Sequence, residues 1–204
     1  MAPNLKKPLS PQAIHLCVDM QRLFSPEGPW PTPWMERVLP TVVRLAEHAP
    51  ERTVFTRFIP PERAEDMPGT WRRYYERWDE ATRARLDPRL LDLMPPLAEL
   101  VPPATVIDKP VYSAFAGRKL QELLGARGCD TLIVTGSEID ICVLATVIGA
   151  VDHGYRVVVV TDAVCSSSDE GHDMMLSLYR QRFSLQIETA ESETILEHWL
   201  RRAS

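Results

Sequence analysis

Apolar residues recur along the chain in short blocks of two kinds. Residues 13–18, 53–58, 105–108, 131–135, 156–161 and 184–189 are rich in β-branched side chains, and several are near-continuous apolar runs. Blocks of that length without polar alternation predict strands covered on both faces. Between them the period changes to that of a helix. Residues 34–48 place Val38, Leu39, Val42, Val43, Leu45 and Ala46 on one side, and 117–126 does the same with Leu120, Leu123 and Leu124. Residues 141–152 repeat the pattern with Val143, Leu144, Val147, Ile148 and Val151. Helices over 169–182 and 191–201 complete the regular set. The stretch 60–103 is less periodic and predicts helix over 70–84 and 88–94.

Strand, helix, strand, helix is the order that builds a parallel sheet with helices on both faces, joined by right-handed crossovers. The expected fold is α/β: three layers, α/β/α, around a six-stranded, mainly parallel, Rossmann-like sheet. With 204 residues, one domain over 1–204 is expected, with 1–12 as an extended N-terminal segment. Of the 18 prolines, 11 gather in three connections, 26–33, 60–68 and 95–103, and Pro110 follows the third strand. Such stiff segments suit the walls of a site. No apolar run is long enough to span a bilayer, and no secretory signal is legible at the N-terminus, so a cytoplasmic protein is expected.

Charge narrows the partners. The net charge is −5, and the arginines between Arg72 and Arg89 alternate with Glu76, Asp79, Glu80 and Asp87. That is a poor grip for a phosphate backbone, so no nucleic-acid partner is expected. No GxxxxGK or GxGxxG run supports nucleotide binding. Four cysteines, without CxxC spacing, read as free thiols.

In open parallel sheets ligands bind past the carboxyl ends of strands, near the point where strand order reverses. Asp19, Lys109 and Cys142 each fall at a predicted strand end. Cys142 opens a helix, whose unpaired N–H groups and dipole favour a thiolate and can hold an oxyanion. Taken singly, it is equally well a small buried hydrophobe. Asp19 alone fits a turn cap, and Lys109 alone an ordinary solvated lysine. Together they offer an ion pair beside a thiol, in which the cation steadies a thiolate and the carboxylate takes its proton. His153 and His172 lie away from strand ends, which leaves Cys165 as the one rival thiol.

These residues sit in segments that resemble the isochorismatase-like cysteine hydrolase superfamily, which includes nicotinamidases and N-carbamoylsarcosine amidohydrolase. The segments are Val18-Asp19-Met20-Gln21 with Phe24, Thr56-Arg57, Ile107-Asp108-Lys109 with Tyr112-Ser113-Ala114-Phe115, and Val134-Thr135-Gly136 leading to Asp140-Ile141-Cys142-Val143. In that order they cover residues 13–200. The resemblance implies an isochorismatase-like fold and an Asp–Lys–Cys triad, with Asp19 as proton carrier, Lys109 as electrostatic support and Cys142 as nucleophile. It implies a cis Ser137–Glu138 peptide and an oxyanion hole from the backbone N–H groups of Glu138 and Cys142. Ile139 stands where relatives commonly carry a small polar residue.

The activity so implied is hydrolysis of a C–N bond in a small amide or carbamoyl compound through a thioester, without cofactor. A metal site is not expected, because the Asp-x-His pair of metal-binding nicotinamidases is replaced by Thr56-Arg57-Phe58 and no histidine occurs between His48 and His153. The alternatives are a non-catalytic, oligomeric interaction module on the same fold, or a hydrolase of a vinyl ether or ester. Members of the superfamily assemble as dimers or larger oligomers, so a homo-oligomer is expected. Phe24, Trp71 and Tyr112 are candidates for an aromatic wall around a planar substrate. Arg57 is a candidate for a substrate carboxylate, or for an ion pair with Asp66 or Glu62.

Overall fold

A computed structural model describes residues 5–199. Its strands are β1 (Ile14–Val18), β2 (Thr53–Phe58), β3 (Thr105–Lys109), β4 (Thr131–Ser137), β5 (Arg156–Cys165) and β6 (Ile187–Ala190). They form one sheet in the order β3-β2-β1-β4-β5-β6, and every neighbouring pair is parallel. The helices are α1 (Met35–His48), α2 (Gly69–Arg77), α3 (Pro95–Ala98), α4 (Arg118–Ala126), α5 (Leu144–Asp152), α6 (Asp169–Gln181) and α7 (Ser192–His198). The predicted three-layer α/β/α architecture is therefore present, with a sheet that is wholly rather than mainly parallel.

Two cores explain the near-continuous apolar strands. On one face Cys17, Phe55, Ile133 and Val158 pack with α1 and α7 through Val42, Leu45 and Ile195. On the other, Leu16, Val54, Val134 and Val159 pack with α4, α5 and α6 through Leu120, Val147 and Tyr179. Each strand sends alternate residues to opposite layers, so both sets must be apolar. His15 breaks the pattern inside β1. It is fully buried, with Nε2 at 2.8 Å from Thr135 Oγ1 and Nδ1 at 3.4 Å from Thr53 Oγ1. Burial pushes its pKa down to about 3, so the ring is neutral and spans three strands through hydroxyls.

Several boundaries differ from expectation, each for a local reason. The helix expected over 70–84 ends at Arg77, because Trp78 turns to φ −111°, ψ 50° and a 3-10 turn follows at Asp79–Ala81. The 88–94 helix is a 3-10 turn, Pro88–Leu91, capped by Asp87 accepting from Arg89 N at 2.9 Å. The strand expected from residue 184 begins at Ile187, because Gln186 N and Ile187 N both close a turn on Phe183 O. β5 runs on to Cys165 because β4 shifts register after Val134, which pairs Gly136 with Val164 and Ser137 with Cys165. The last expected helix ends at His198, and residues 200–201 lie outside the described residues, as do residues 1–4 of the expected extended segment. No described helix is long and apolar enough to cross a membrane.

Candidate active site

Strand order reverses between β1 and β4, and the three reactive side chains gather beyond that crevice. Asp19 follows β1 in a left-handed conformation, φ 50°, which turns its carboxylate back over the strand ends. Its N–H donates to Thr56 O and Oγ1, and Thr56 Oγ1 in turn donates to Asp19 Oδ1 at 2.6 Å. Lys109 ends β3, two strands away, and reaches back across β2. Its Nζ lies 5.1 Å from the Phe58 ring centroid, donates to Val111 O at 3.1 Å and stands 2.6 Å from Asp19 Oδ2. Asp19 is fully buried and Lys109 is 3% exposed, so neither charge is solvated and each is held by the other. Apart from that ion pair, Asp19 Oδ2 has no directed partner among the described residues.

Cys142 enters from β4. The peptide between Ser137 and Glu138 is cis, and residues Ile139–Val143 form a π-helical turn ahead of α5. Glu138 O accepts from Ile141 N at 3.1 Å and Val143 N at 3.0 Å, passing over the Cys142 N–H between them. Cys142 therefore sits in a wide turn before the regular helix, a feature that a 3.6-residue period does not register. Gly136 allows β4 to pass this close to β1. Its φ is +114°, and a Cβ there would lie 2.0 Å from Val18 O.

The thiol's surroundings act on its proton in opposing ways. Burial, and then the Asp19 charge, push the Cys142 pKa well above its ordinary value, while Lys109 opposes them. Burial and the carboxylate thus favour the protonated sulfur, and the ammonium favours the thiolate. Burial works against the Lys109 charge, but Asp19 and Cys142 outweigh it and raise the lysine above its usual range. Cys165 has no comparable pair. It is buried, its pKa is pushed up to about 12 mainly by burial, and Sγ faces Gly136 O at 3.8 Å. His153 packs on Phe115 and His172 on Trp34.

Phe24, Trp71 and Tyr112, read as a wall from sequence, converge on one aromatic cluster. Phe58 joins them, at 6.5 Å from Phe24, 6.4 Å from Trp71 and 6.5 Å from Tyr112, while Trp71 and Tyr112 lie 4.6 Å apart. Trp30 and Tyr74 extend the cluster. Sequence reading missed Phe58 and Thr56 as site residues. Both lie at the end of β2 on one face, and strand alternation is the signal that pairs them.

Arg57 does not join the site. It points to the other face of β2 and grips Asp108 through Nε at 2.7 Å and Nη2 at 2.9 Å, with Asp92 at 3.9 Å. It lines a separate cavity of about 420 Å³ with Arg22, Leu93 and Val106. Neither the substrate role nor the ion pair with Asp66 or Glu62 matches that position. Among the described residues no group of three or more His, Cys, Asp and Glu side chains is placed to hold a metal ion.

Comparison with known proteins bears on the family and the fold. The family model for the isochorismatase domain matches residues 13–191. An isochorismatase family protein of Bacillus subtilis, PncA, is 40% identical over 81 residues, 40% of this chain and 44% of that protein, so the chain spans less than half the length of that relative. Nicotinamidase 3 of Arabidopsis thaliana is 28% identical over 172 residues, 84% of this chain and 82% of that one. A crystal structure of a cysteine hydrolase from Pseudomonas syringae pv. phaseolicola shares the fold, with TM-score 0.83 at 21% identity, covering 97% of each chain.

Proposed function

The chain belongs to the isochorismatase family, and on that premise we propose that it is a cysteine hydrolase opening the C–N bond of a small amide or carbamoyl compound. The observation that carries this reading is the buried Asp19–Lys109 ion pair acting on the Cys142 thiol. A carboxylate and an ammonium this deeply buried are costly to desolvate, and proton transfer gives them work that packing does not.

Asp19 takes the thiol proton through Oδ2, the oxygen that faces the Lys109 ammonium and, apart from that ion pair, has no directed partner among the described residues. The new thiolate is then stabilised by Lys109 and adds to the amide carbonyl. Charge developing on the carbonyl oxygen is met by the backbone N–H groups of Glu138 and Cys142. Glu138 N donates to no acceptor among the described residues, and the Cys142 N–H is not taken by Glu138 O. As the tetrahedral adduct collapses, the Asp19 carboxyl gives its proton to the leaving nitrogen, so ammonia or an amine departs and a thioester remains. Asp19, again a carboxylate, takes a proton from water, whose oxygen adds to the thioester. Collapse returns the acid and, with that proton, the Cys142 thiol. No step passes through a cofactor.

Ammonia release from a panel of small amides tests the reading. The wild type turns over at least one of them, Cys142→Ala loses that turnover, iodoacetamide abolishes it and chelators leave it unchanged. Normal turnover by Cys142→Ala, or loss on chelation, would contradict the reading.

A further inference from the structure

The carboxylate that carries the proton in the proposed mechanism has two oxygens, and the structure treats them differently. β1 and β2 stay paired as far as Cys17 and Phe55, so Asp19 and Thr56 stand just past the last paired residues of adjacent strands. Thr56 is fully buried and meets Asp19 in three hydrogen bonds. Asp19 N donates to Thr56 O and to Thr56 Oγ1, both at 3.2 Å, and Thr56 Oγ1 donates to Asp19 Oδ1 at 2.6 Å. The first two hold Asp19 in its left-handed conformation, φ 50°, which is uncommon for a residue other than glycine.

A hydroxyl has one hydrogen to give. The hydrogen of Thr56 is given to Oδ1, at a distance typical of donation to an ionised oxygen. Lys109 takes the other side, with Nζ 2.6 Å from Oδ2. The nucleophile apart, Thr56 and Lys109 are the two described residues whose side chains face this carboxylate as donors. A proton arriving on Oδ1 would force the Thr56 hydroxyl to turn, which would leave its hydrogen buried without an acceptor among the described residues. Oδ2 has no directed hydrogen bond to lose. An apolar side chain at position 56 would erase that difference. The buried carboxylate would keep one donor, Lys109, and turn both oxygens toward it, so that neither is held toward the sulfur.

We propose that Thr56 is a positioning residue which, acting through Asp19, reserves Oδ2 for the proton passed between the Cys142 sulfur and the leaving nitrogen. The claim deepens the amidohydrolase reading and rests on it for the role of Asp19. Thr56 itself touches neither sulfur nor substrate in this scheme, so its loss acts on the proton and leaves substrate binding alone.

The test compares Thr56→Val, which keeps the shape and removes the hydroxyl, with Thr56→Ser, which keeps the hydroxyl. Both are assayed by steady-state kinetics on an amide from which the wild type releases ammonia. Thr56→Val is expected to lose about 10- to 100-fold in kcat with KM within about twofold of the wild type, the split produced when an interaction with the reacting proton is removed. Thr56→Ser is expected to stay within about threefold of the wild type in both constants. A kcat for Thr56→Val within threefold of the wild type, a loss expressed in KM alone, or an equal loss of kcat in Thr56→Ser overturns the proposal. If Thr56→Val does not fold, Thr56→Ala, which has no branched side chain to place, is held to the same limits. The two ways of failing are distinct. Wild-type turnover that survives loss of the hydroxyl overturns the role of Thr56 alone, whereas absence of ammonia release from every amide overturns the hydrolase reading and this role with it.

Discussion

At the scale of single residues, the proposed site is a buried ion pair acting on a sulfur whose proton is the variable member. Because Asp19 raises the Cys142 pKa and Lys109 lowers it, removing either should move the thiol in opposite directions. The rate of iodoacetamide alkylation at Cys142 against pH is expected to shift up in Lys109→Met and down in Asp19→Asn, each by about 1–3 pH units. Both variants lose turnover, Asp19→Asn by about 10²- to 10⁴-fold, since it lacks the proton acceptor. Shifts of the same sign would break the proposed coupling. The three residues were legible in sequence because each stands at a strand end inside a recognisable segment. Their protonation was not legible. A helix terminus and a buried carboxylate act oppositely on a thiol, and the burial of Cys142 beside Asp19 is not a feature that sequence displays. Arg57 was misplaced for a simpler reason: one step along a strand changes the face, and Arg57 follows Thr56.

At the scale of elements, strands and helices were readable wherever packing imposes a period. β2 has the boundaries that its apolar block predicts, and α1, α4 and α6 lie within a residue of expectation at each end. The cis Ser137–Glu138 peptide was foreseen through the family resemblance alone; what the hydrophobic period did not reveal is where the backbone leaves regular geometry, namely the π-helical turn and the register shift in β4. Those features are set by neighbours, not by local period. Gly136 is the buried joint of this arrangement, and the most easily broken. An added Cβ would meet the Val18 carbonyl at 2.0 Å, at a φ of +114° that L side chains rarely adopt. Gly136→Ala is therefore expected to lower stability by at least about 1–3 kcal/mol, read from the denaturant midpoint. It should also slow Cys142 alkylation relative to the wild type, because β1 and β4 carry Asp19 and the nucleophile's turn. An unchanged midpoint would contradict the close approach.

At the scale of the whole molecule, the fold places its chemistry at the reversal of strand order and keeps a titratable ring at the centre of the sheet. His15 is neutral when folded, with a pKa of about 3 against an ordinary 6.5. The unfolded chain therefore binds a proton that the folded chain refuses. The contribution is complete above pH 6.5 and is lost progressively as pH falls toward 3. The slope is up to about 1.4 kcal/mol per pH unit. Denaturation at a series of pH values should show His15→Gln losing less stability than the wild type on acidification from pH 6.5 to 5, by about 2 kcal/mol. Parallel curves for the two proteins would show that His15 is not the group responsible.

The central claim is that the Cys142 sulfur becomes an acyl carrier. Acid quenching during turnover of a small amide, followed by intact mass and peptide mapping, tests it most directly. The account predicts an acyl mass on the Cys142 peptide of the wild type, removed by hydroxylamine and absent from Cys142→Ala. Turnover with no such adduct under any quench time, or an adduct on another residue, would contradict it.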